Sequence, residues 1–329
     1  MRTYTQLQAI FGQYLQDHRF TDQPINLYDP VNYILALGGK RVRPLMLLMS
    51  HQLFTDDPTP ALPAAYAVEL FHNFSLLHDD IMDEAPLRRG QPTVHAKYGQ
   101  NAGILSGDVM LILAYQYLLR SANADNSYRL VDLFSKMAVE VCEGQQLDMD
   151  FETRTAVQID EYLHMITQKT AVLISAGIEM GALIAGASPD DQQRLAAFGL
   201  NIGIAFQLQD DILDTFGDPE KFGKKVGGDI AQNKKTYLLL KAFEEADEAT
   251  EARMRQLMTI RTQDGSAEEA DKIRQVKALY EELGVRRQAE DLMNSYQERA
   301  FDSLRATGLP EERLAVIAGV ASRLLGREN

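Results

Sequence analysis

The chain has 329 residues, 45% hydrophobic and 24% charged, an ordinary globular composition with enough length to bury a large core. Its formal charge of −14 excludes a general nucleic-acid binder, because a phosphate backbone demands a basic surface. A single cysteine, Cys142, excludes an internal disulfide or a thiol-rich zinc site, fits a reducing compartment, and on its own reads as a buried small apolar side chain. No apolar run approaches the roughly 20 residues that span a bilayer. Met1 to Gln16 lacks the charged-then-apolar layout of a secretion signal. The expectation is a cytoplasmic protein with no transmembrane segment and no nucleic-acid partner.

In chain order, Met1 to Tyr28 carries no motif, and the first feature is Gly38-Gly39-Lys40-Arg41-Val42-Arg43-Pro44, three cations in four positions after a flexible pair. Apolar residues at three- and four-residue spacing then predict a helix over Ala64–Met82. It runs into Leu76-Leu77-His78-Asp79-Asp80-Ile81-Met82-Asp83, and Pro86 to Pro92 interrupts it with Leu87-Arg88-Arg89-Gly90 inside the break. Further helices are predicted over Ala102–Leu119, Tyr128–Leu147, Ile159–Ala187 and Asp191–Phe216. Gly177, Gly181, Gly199 and Gly203 recur at four-residue spacing, which lets helices approach closely. The last helix ends in Phe206-Gln207-Leu208-Gln209-Asp210-Asp211-Ile212-Leu213-Asp214, followed by a Gly- and Lys-rich loop over Gly217 to Asn233. With no linker or low-complexity segment, the expected fold is all-α: a single-domain bundle over residues 1–329, its long helices lining one deep central cavity.

The two acidic triplets carry the chemistry. At about 100° per residue, Asp79 and Asp83 stand one turn apart on one helix face, and Asp210 and Asp214 repeat the pattern. Paired carboxylates repel unless a cation lies between them, and an oxygen-only set suits Mg²⁺, which keeps waters and accepts substrate phosphates as further ligands. Carboxylates at a helix C-terminus also oppose the helix dipole, so the placement costs stability without a metal. Asp79, Asp80, Asp83, Asp210, Asp211 and Asp214 are therefore the candidate metal ligands. His72 lies within roughly 20° of Asp79 on a helical wheel and joins the site. His78 and His95 read as structural or supporting residues. Arginine forks match phosphate oxygens, so Lys40, Arg41, Arg43, Arg88, Arg89, Lys224, Lys225, Lys234 and Lys235 supply the anion-binding side. No nucleophile elbow, zinc-type His-Glu-x-x-His or Walker loop is present. The implied chemistry is metal-assisted departure of diphosphate.

Gly-Gly-Lys-Arg-Val-Arg-Pro, Leu-Leu-His-Asp-Asp-Ile-Met-Asp, Leu-Arg-Arg-Gly-Gln-Pro-Thr-Val-His, Gly107-Asp108, Lys169-Thr170 and Phe-Gln-Leu-Gln-Asp-Asp-Ile-Leu-Asp stand in one order from about Gly38 to Thr236. In this the chain resembles the trans-isoprenyl diphosphate synthases, the polyprenyl synthetase family. The resemblance implies an all-helical prenyltransferase, usually a homodimer, that joins isopentenyl diphosphate head to tail with an allylic primer such as dimethylallyl, geranyl or farnesyl diphosphate. It assigns Lys40, Arg43, His72 and Arg89 to isopentenyl diphosphate. Arg88, Lys169, Lys224 and Lys234 fall to the allylic diphosphate, and Asp79, Asp83 and Asp210 to Mg²⁺. It sets Thr170 and Gln207 near the developing cation. Phe74 and Ser75, five and four residues before the first triplet, match cavity-floor positions, and one bulky residue there points to a C20 product, geranylgeranyl diphosphate. The alternatives are farnesyl diphosphate or a longer polyprenyl product. A terpene cyclase fits less well, since its second metal motif normally carries Asn, Ser or Thr, and Glu. A non-catalytic partner subunit tends to lose a triplet, and this chain keeps both.

Overall fold

Helices form where the sequence period says they do, and short polar caps start several of them. Thr3 opens α1 (Tyr4–Asp17) with a capping box, its hydroxyl accepting the Gln6 N–H while the Gln6 side chain accepts the Thr3 N–H. The computed structural model describes residues 1–218, 226–260 and 265–326. These residues divide into two compact units, the first made of 1–136, 176–196 and 307–320, the second of 137–175, 197–306 and the chain from 321 onward.

In the first unit, α2 (Ile25–Ala36) and α3 (Val42–Gln52) precede α4 (Leu62–Met82), and α5 (Val94–Tyr98) leads into α6 (Gln100–Arg120). Leu45 to Met49 are fully buried, so α3 presents no solvent face over that stretch. Phe71 of α4 meets Phe134 edge-on at 5.5 Å between centroids, and Tyr66 meets Tyr117 at 4.5 Å, offset geometries that suit the aromatic quadrupole. Gly181 shows why a small residue recurs: a Cβ there would lie 2.2 Å from the Leu47 carbonyl oxygen. The α4–α6 contact uses the same device, because a Cβ on Gly107 would lie 2.2 Å from His78 Nε2. Among the described residues, α6 is the helix long and apolar enough to cross a membrane by length and composition. One of its faces packs on α4 and α2.

The second unit takes most of α7 (Ser127–Thr153), α8 (Ile159–Ile166) and the larger part of α10 (Pro189–Phe216). Tyr162, Leu208, Leu238, Met254, Val276 and Val285 share its core. The expected helix over Ile159–Ala187 is interrupted by a π-turn, Thr167–Ala171, before α9 (Val172–Ile184) continues. Cys142, expected inside, is exposed. The inward positions of α7 are Leu130, Phe134, Met137 and Val141, and a helix turns about 100° per residue, which carries position 142 off that face.

Candidate active site

The basic end of the first unit is organised by a hairpin too short for periodicity to reveal. Leu87–Arg88 (β1) pairs antiparallel with Gln91–Pro92 (β2), leaving Arg89-Gly90 as a two-residue turn with φ of 54° and 74°. Arg88 ends the strand and Arg89 opens the turn, and the adjacent arginines go to different partners. Arg88 grips Asp80 with two nitrogens, Nε to Oδ2 at 2.8 Å and Nη2 to Oδ1 at 2.7 Å, and lies 3.7 Å from Asp79. Arg89 donates to the Gly38 carbonyl. Its guanidinium would be 2.8 Å from a Cβ on Gly39, whose φ of 122° also demands glycine, so the glycine pair serves close approach as well as freedom of the loop.

Of the three cations after that pair, Arg41 is turned inward. It takes a left-handed φ of 50° at the N-cap of α3, and its guanidinium binds the buried Glu69 and the Leu35 carbonyl. Arg43 Nη1 lies 3.2 Å from His72 Nε2. Burial and then the Arg43 and Arg89 charges push His72 well below the usual histidine range, so its ring nitrogen accepts from the guanidinium. Lys40 sits in the same loop, its carbonyl accepting from the Tyr4 hydroxyl at 3.1 Å. Of the expected isopentenyl-side set, Arg43 and His72 meet directly, Arg89 binds the Gly38 loop, and Lys40 belongs to that loop. His78 donates to the Ile104 carbonyl and His95 Nδ1 contacts Thr93 Oγ1, each at 3.2 Å.

Asp79 and Asp80 occupy the last turn of α4 and Asp83 is its C-cap, with the Asp83 N–H donating to the Asp79 carbonyl at 2.9 Å. Phe74 is half-buried against Phe71 and His78, at 5.6 and 4.9 Å, and Ser75 donates to the His72 carbonyl.

In the second unit the π-turn sets Lys169 and Thr170. Glycines admit it from two sides: a Cβ on Gly144 would lie 2.3 Å from Lys169 N, and one on Gly203 would lie 2.5 Å from Ala171 Cα. Lys169 Nζ reaches Asp148 at 2.5 Å, and Thr170 Oγ1 donates to Gln207 Oε1 at 3.2 Å. Gln207 Nε2 donates to Asp211 Oδ1 at 3.1 Å, and the buried Tyr162 hydroxyl donates to Asp211 Oδ2 at 2.5 Å. Burial, and after it the neighbouring Asp229, holds the Asp211 carboxyl above the usual carboxylate range. Asp214 Oδ2 accepts from the Asp229 N–H at 2.9 Å. Lys169, Thr170, Gln207, Asp229, Lys234 and Lys235 line one pocket together with the apolar Met165 and Ile166. Lys224 and Lys225 lie outside the described residues.

A model of the polyprenyl synthetase family matches residues 24–282, most of the chain. The chain belongs to the polyprenyl synthetase family. It is a prenyltransferase of the trans-isoprenyl diphosphate synthase type. The chain is 44% identical over 223 residues to a geranylgeranyl diphosphate synthase of Methanosarcina mazei, covering 68% of this chain and 69% of the relative. It is 40% identical over 239 residues to a short chain isoprenyl diphosphate synthase of Methanocaldococcus jannaschii, 73% of each. A geranylfarnesyl diphosphate synthase of Natronomonas pharaonis is 39% identical over 237 residues, 67% of this chain and 70% of the relative. Among solved structures, a geranylgeranyl pyrophosphate synthase superposes with a TM-score of 0.95 at 44% identity and full coverage of both chains. A second, from Corynebacterium glutamicum in complex with isoprenyl diphosphate and magnesium, gives 0.85 at 27% identity, covering 99% and 98%.

Some of what surrounds the family motifs was not anticipated. Asp148, Tyr162, Asp229 and Glu69 hold expected site residues in place, yet one more carboxylate in a chain with 47 acidic residues, or one tyrosine among 13, carries no sequence signal. Asp229, five residues before Lys234 in the Gly- and Lys-rich loop, had the nearest thing to a flag.

Proposed function

We propose that this polyprenyl synthetase condenses isopentenyl diphosphate with an allylic diphosphate to give geranylgeranyl diphosphate, C20. The observation that carries the reading is the parting of Arg88 and Arg89, one to the aspartate triplet and one to the Gly38 loop with Arg43 and His72. That division supports two diphosphate subsites of different chemistry, metal-assisted for the allylic group and purely cationic for isopentenyl diphosphate. Lys169, Lys234 and Lys224 serve the allylic side, and Lys40 and Arg43 the other. Thr170 and Gln207, hydrogen-bonded to each other, present oxygen dipoles toward developing positive charge. The family match across both compact units supports treating residues 1–329 as one functional domain.

A divalent ion fits the donors present. All are carboxylate oxygens, set one helical turn apart within each triplet, a donor set that suits Mg²⁺ bound largely through water and substrate oxygens. Asp79 and Asp83 of the first triplet and Asp210 of the second are the proposed ligands of Mg²⁺ ions. Asp80 and Asp211, expected as ligands from sequence, have both oxygens engaged by Arg88 or by Tyr162 and Gln207, so we assign them to holding their neighbours. When bound, the ion neutralises diphosphate charge and favours its departure. Asp79→Ala and Asp210→Ala each lower turnover by about 100-fold or more, with helical circular dichroism unchanged and EDTA inhibition of the wild type reversed by Mg²⁺. Near wild-type turnover of either variant at saturating Mg²⁺ contradicts the assignment.

Product length rests on Phe74 and on the relatives named for C20. The geranylfarnesyl name of the Natronomonas pharaonis relative favours a second reading, one isoprene unit longer. We further propose a cytosolic homodimer. Leu105, Ile112 and Leu119 of α6 are 59, 58 and 51% exposed at seven-residue spacing, an apolar stripe on the side of the helix away from its buried positions, and such a stripe suits a second copy.

A further inference from the structure

The lysine pair Lys234-Lys235 follows a segment that cannot stiffen itself. The helix before it, α11 (Gly228–Gln232), has five residues, below the length that persists alone. It is bracketed by two left-handed residues, Gly227 at φ 90° and Asn233 at φ 59°. What holds the segment comes from α14 (Ala267–Glu282), the second helix after α12 (Tyr237–Glu245), with α13 (Glu248–Thr259) between them. Lys272 of α14 is 1% exposed. Its ammonium donates to the Ala231 carbonyl at 3.2 Å, to Asn233 Oδ1 at 2.6 Å and to the Ile260 carbonyl at 3.1 Å. Among the described residues these three acceptors meet its donors, which is how a buried ammonium is tolerated. The next residue, Ile273, closes the other end, since a Cβ on Gly227 would lie 2.7 Å from its Cγ2.

Between these two anchors lie the groups that face the pocket. The Asp229 N–H donates to Asp214 Oδ2 at 2.9 Å, the Lys234 N–H donates to the Asp229 carbonyl at 2.9 Å, and Lys234 Nζ stands 3.9 Å from Asp229 Oδ1. We propose that Lys272 is a positioning residue for the primer subsite: through Asn233 it sets the turn from which Lys234 reaches the allylic diphosphate. This rests on the reading of Lys234 as a diphosphate ligand given above. Lys272 touches no substrate, and its charge acts through the Asn233 side chain and two carbonyls. An arginine has no equivalent place, because the three acceptors surround a point charge and not a planar fork.

The test is steady-state kinetics of the full chain with each substrate varied, for Lys272→Met, Asn233→Gly, their combination, Asn233→Asp and Lys234→Ala. Asn233→Gly keeps the left-handed turn and removes the acceptor, so it decides the matter even if Lys272→Met fails to fold. Lys272→Met and Asn233→Gly each raise KM for the allylic primer about 3- to 10-fold, the effect of one lost charge-assisted hydrogen bond, and leave KM for isopentenyl diphosphate within about twofold. The combination is no worse than the stronger single variant, because both break the shared Lys272–Asn233 contact. Asn233→Asp, which keeps an acceptor oxygen, retains the wild-type primer KM. If Lys234→Ala raises the primer KM while Lys272→Met and Asn233→Gly shift neither constant, or shift both equally as a merely structural role would, the positioning role is overturned and the reading of Lys234 stands. If Lys234→Ala leaves the primer KM unchanged, the two fall together.

Discussion

Arg88 and Arg89 are chain neighbours with different partners, one on the short strand and one in the two-residue turn after it. Their substitutions therefore separate kinetically: Arg89→Ala raises KM for isopentenyl diphosphate about tenfold, the value of one charge-assisted contact, and the primer constant by much less. Arg88→Ala does the reverse and also lowers kcat, since it frees the buried Asp80 from its guanidinium. Equal effects of Arg89→Ala on both substrates contradict the division. At this scale the sequence was legible where spacing maps directly onto a helix face, as for His72, which follows the Asp79 face and meets Arg43. It was illegible where a residue's part depends on a partner far along the chain. Arg41 read as one of three equivalent cations until Glu69 was seen to claim it, and Cys142 read as interior because its type, not its position on α7, set the expectation.

Among the elements, the long helices α4, α6 and α10 fall within two residues of their predicted bounds because their apolar period is strong, while α7 runs six residues past its expected end at Leu147. The same period hides the π-turn. Ile159 to Ala187 shows no Gly or Pro at the turn, only the polar run Thr167-Gln168-Lys169-Thr170, which a helix tolerates, and the backbone approach that admits the extra residue per turn comes from outside, at Gly144 and Gly203. The four-residue glycine spacing was read as a packing device, and at Gly203 the helix it admits is the turn bearing Lys169 and Thr170. Gly144→Ala and Gly203→Ala each push on backbone that has no flexible side chain to yield. Each destabilises by about 1–3 kcal/mol, the usual cost of overpacking. They also depress turnover more than a surface Gly12→Ala control, whose Cβ meets nothing within 4 Å. Thermal denaturation beside turnover checks this. Unchanged melting for both variants means the turn tolerates a shifted α7 and α10, against the reading of a constrained site.

For the whole molecule, the all-α class followed from period alone, while the short hairpin between Leu87 and Pro92 escaped because two-residue strands leave no alternation to read. The exposed stripe of α6 is the feature of largest scale left unsatisfied by packing within the first unit. Leu105→Asp combined with Ile112→Asp places two charges on it and converts the dimer to monomer in sedimentation velocity, with helical content retained. A monomeric wild type, or a charged variant that sediments unchanged, contradicts the proposed homodimer.

The most direct measurement of the central reading is incubation of the purified chain with labelled isopentenyl diphosphate and, separately, dimethylallyl, geranyl or farnesyl diphosphate, with Mg²⁺ or with EDTA, followed by chain-length analysis of the dephosphorylated products. The account predicts label in C20 alcohol from the allylic primers, dependent on Mg²⁺. Absence of incorporation from every primer in the presence of Mg²⁺ contradicts it, and a Mg²⁺-dependent product of other length leaves the condensation and removes the C20 assignment.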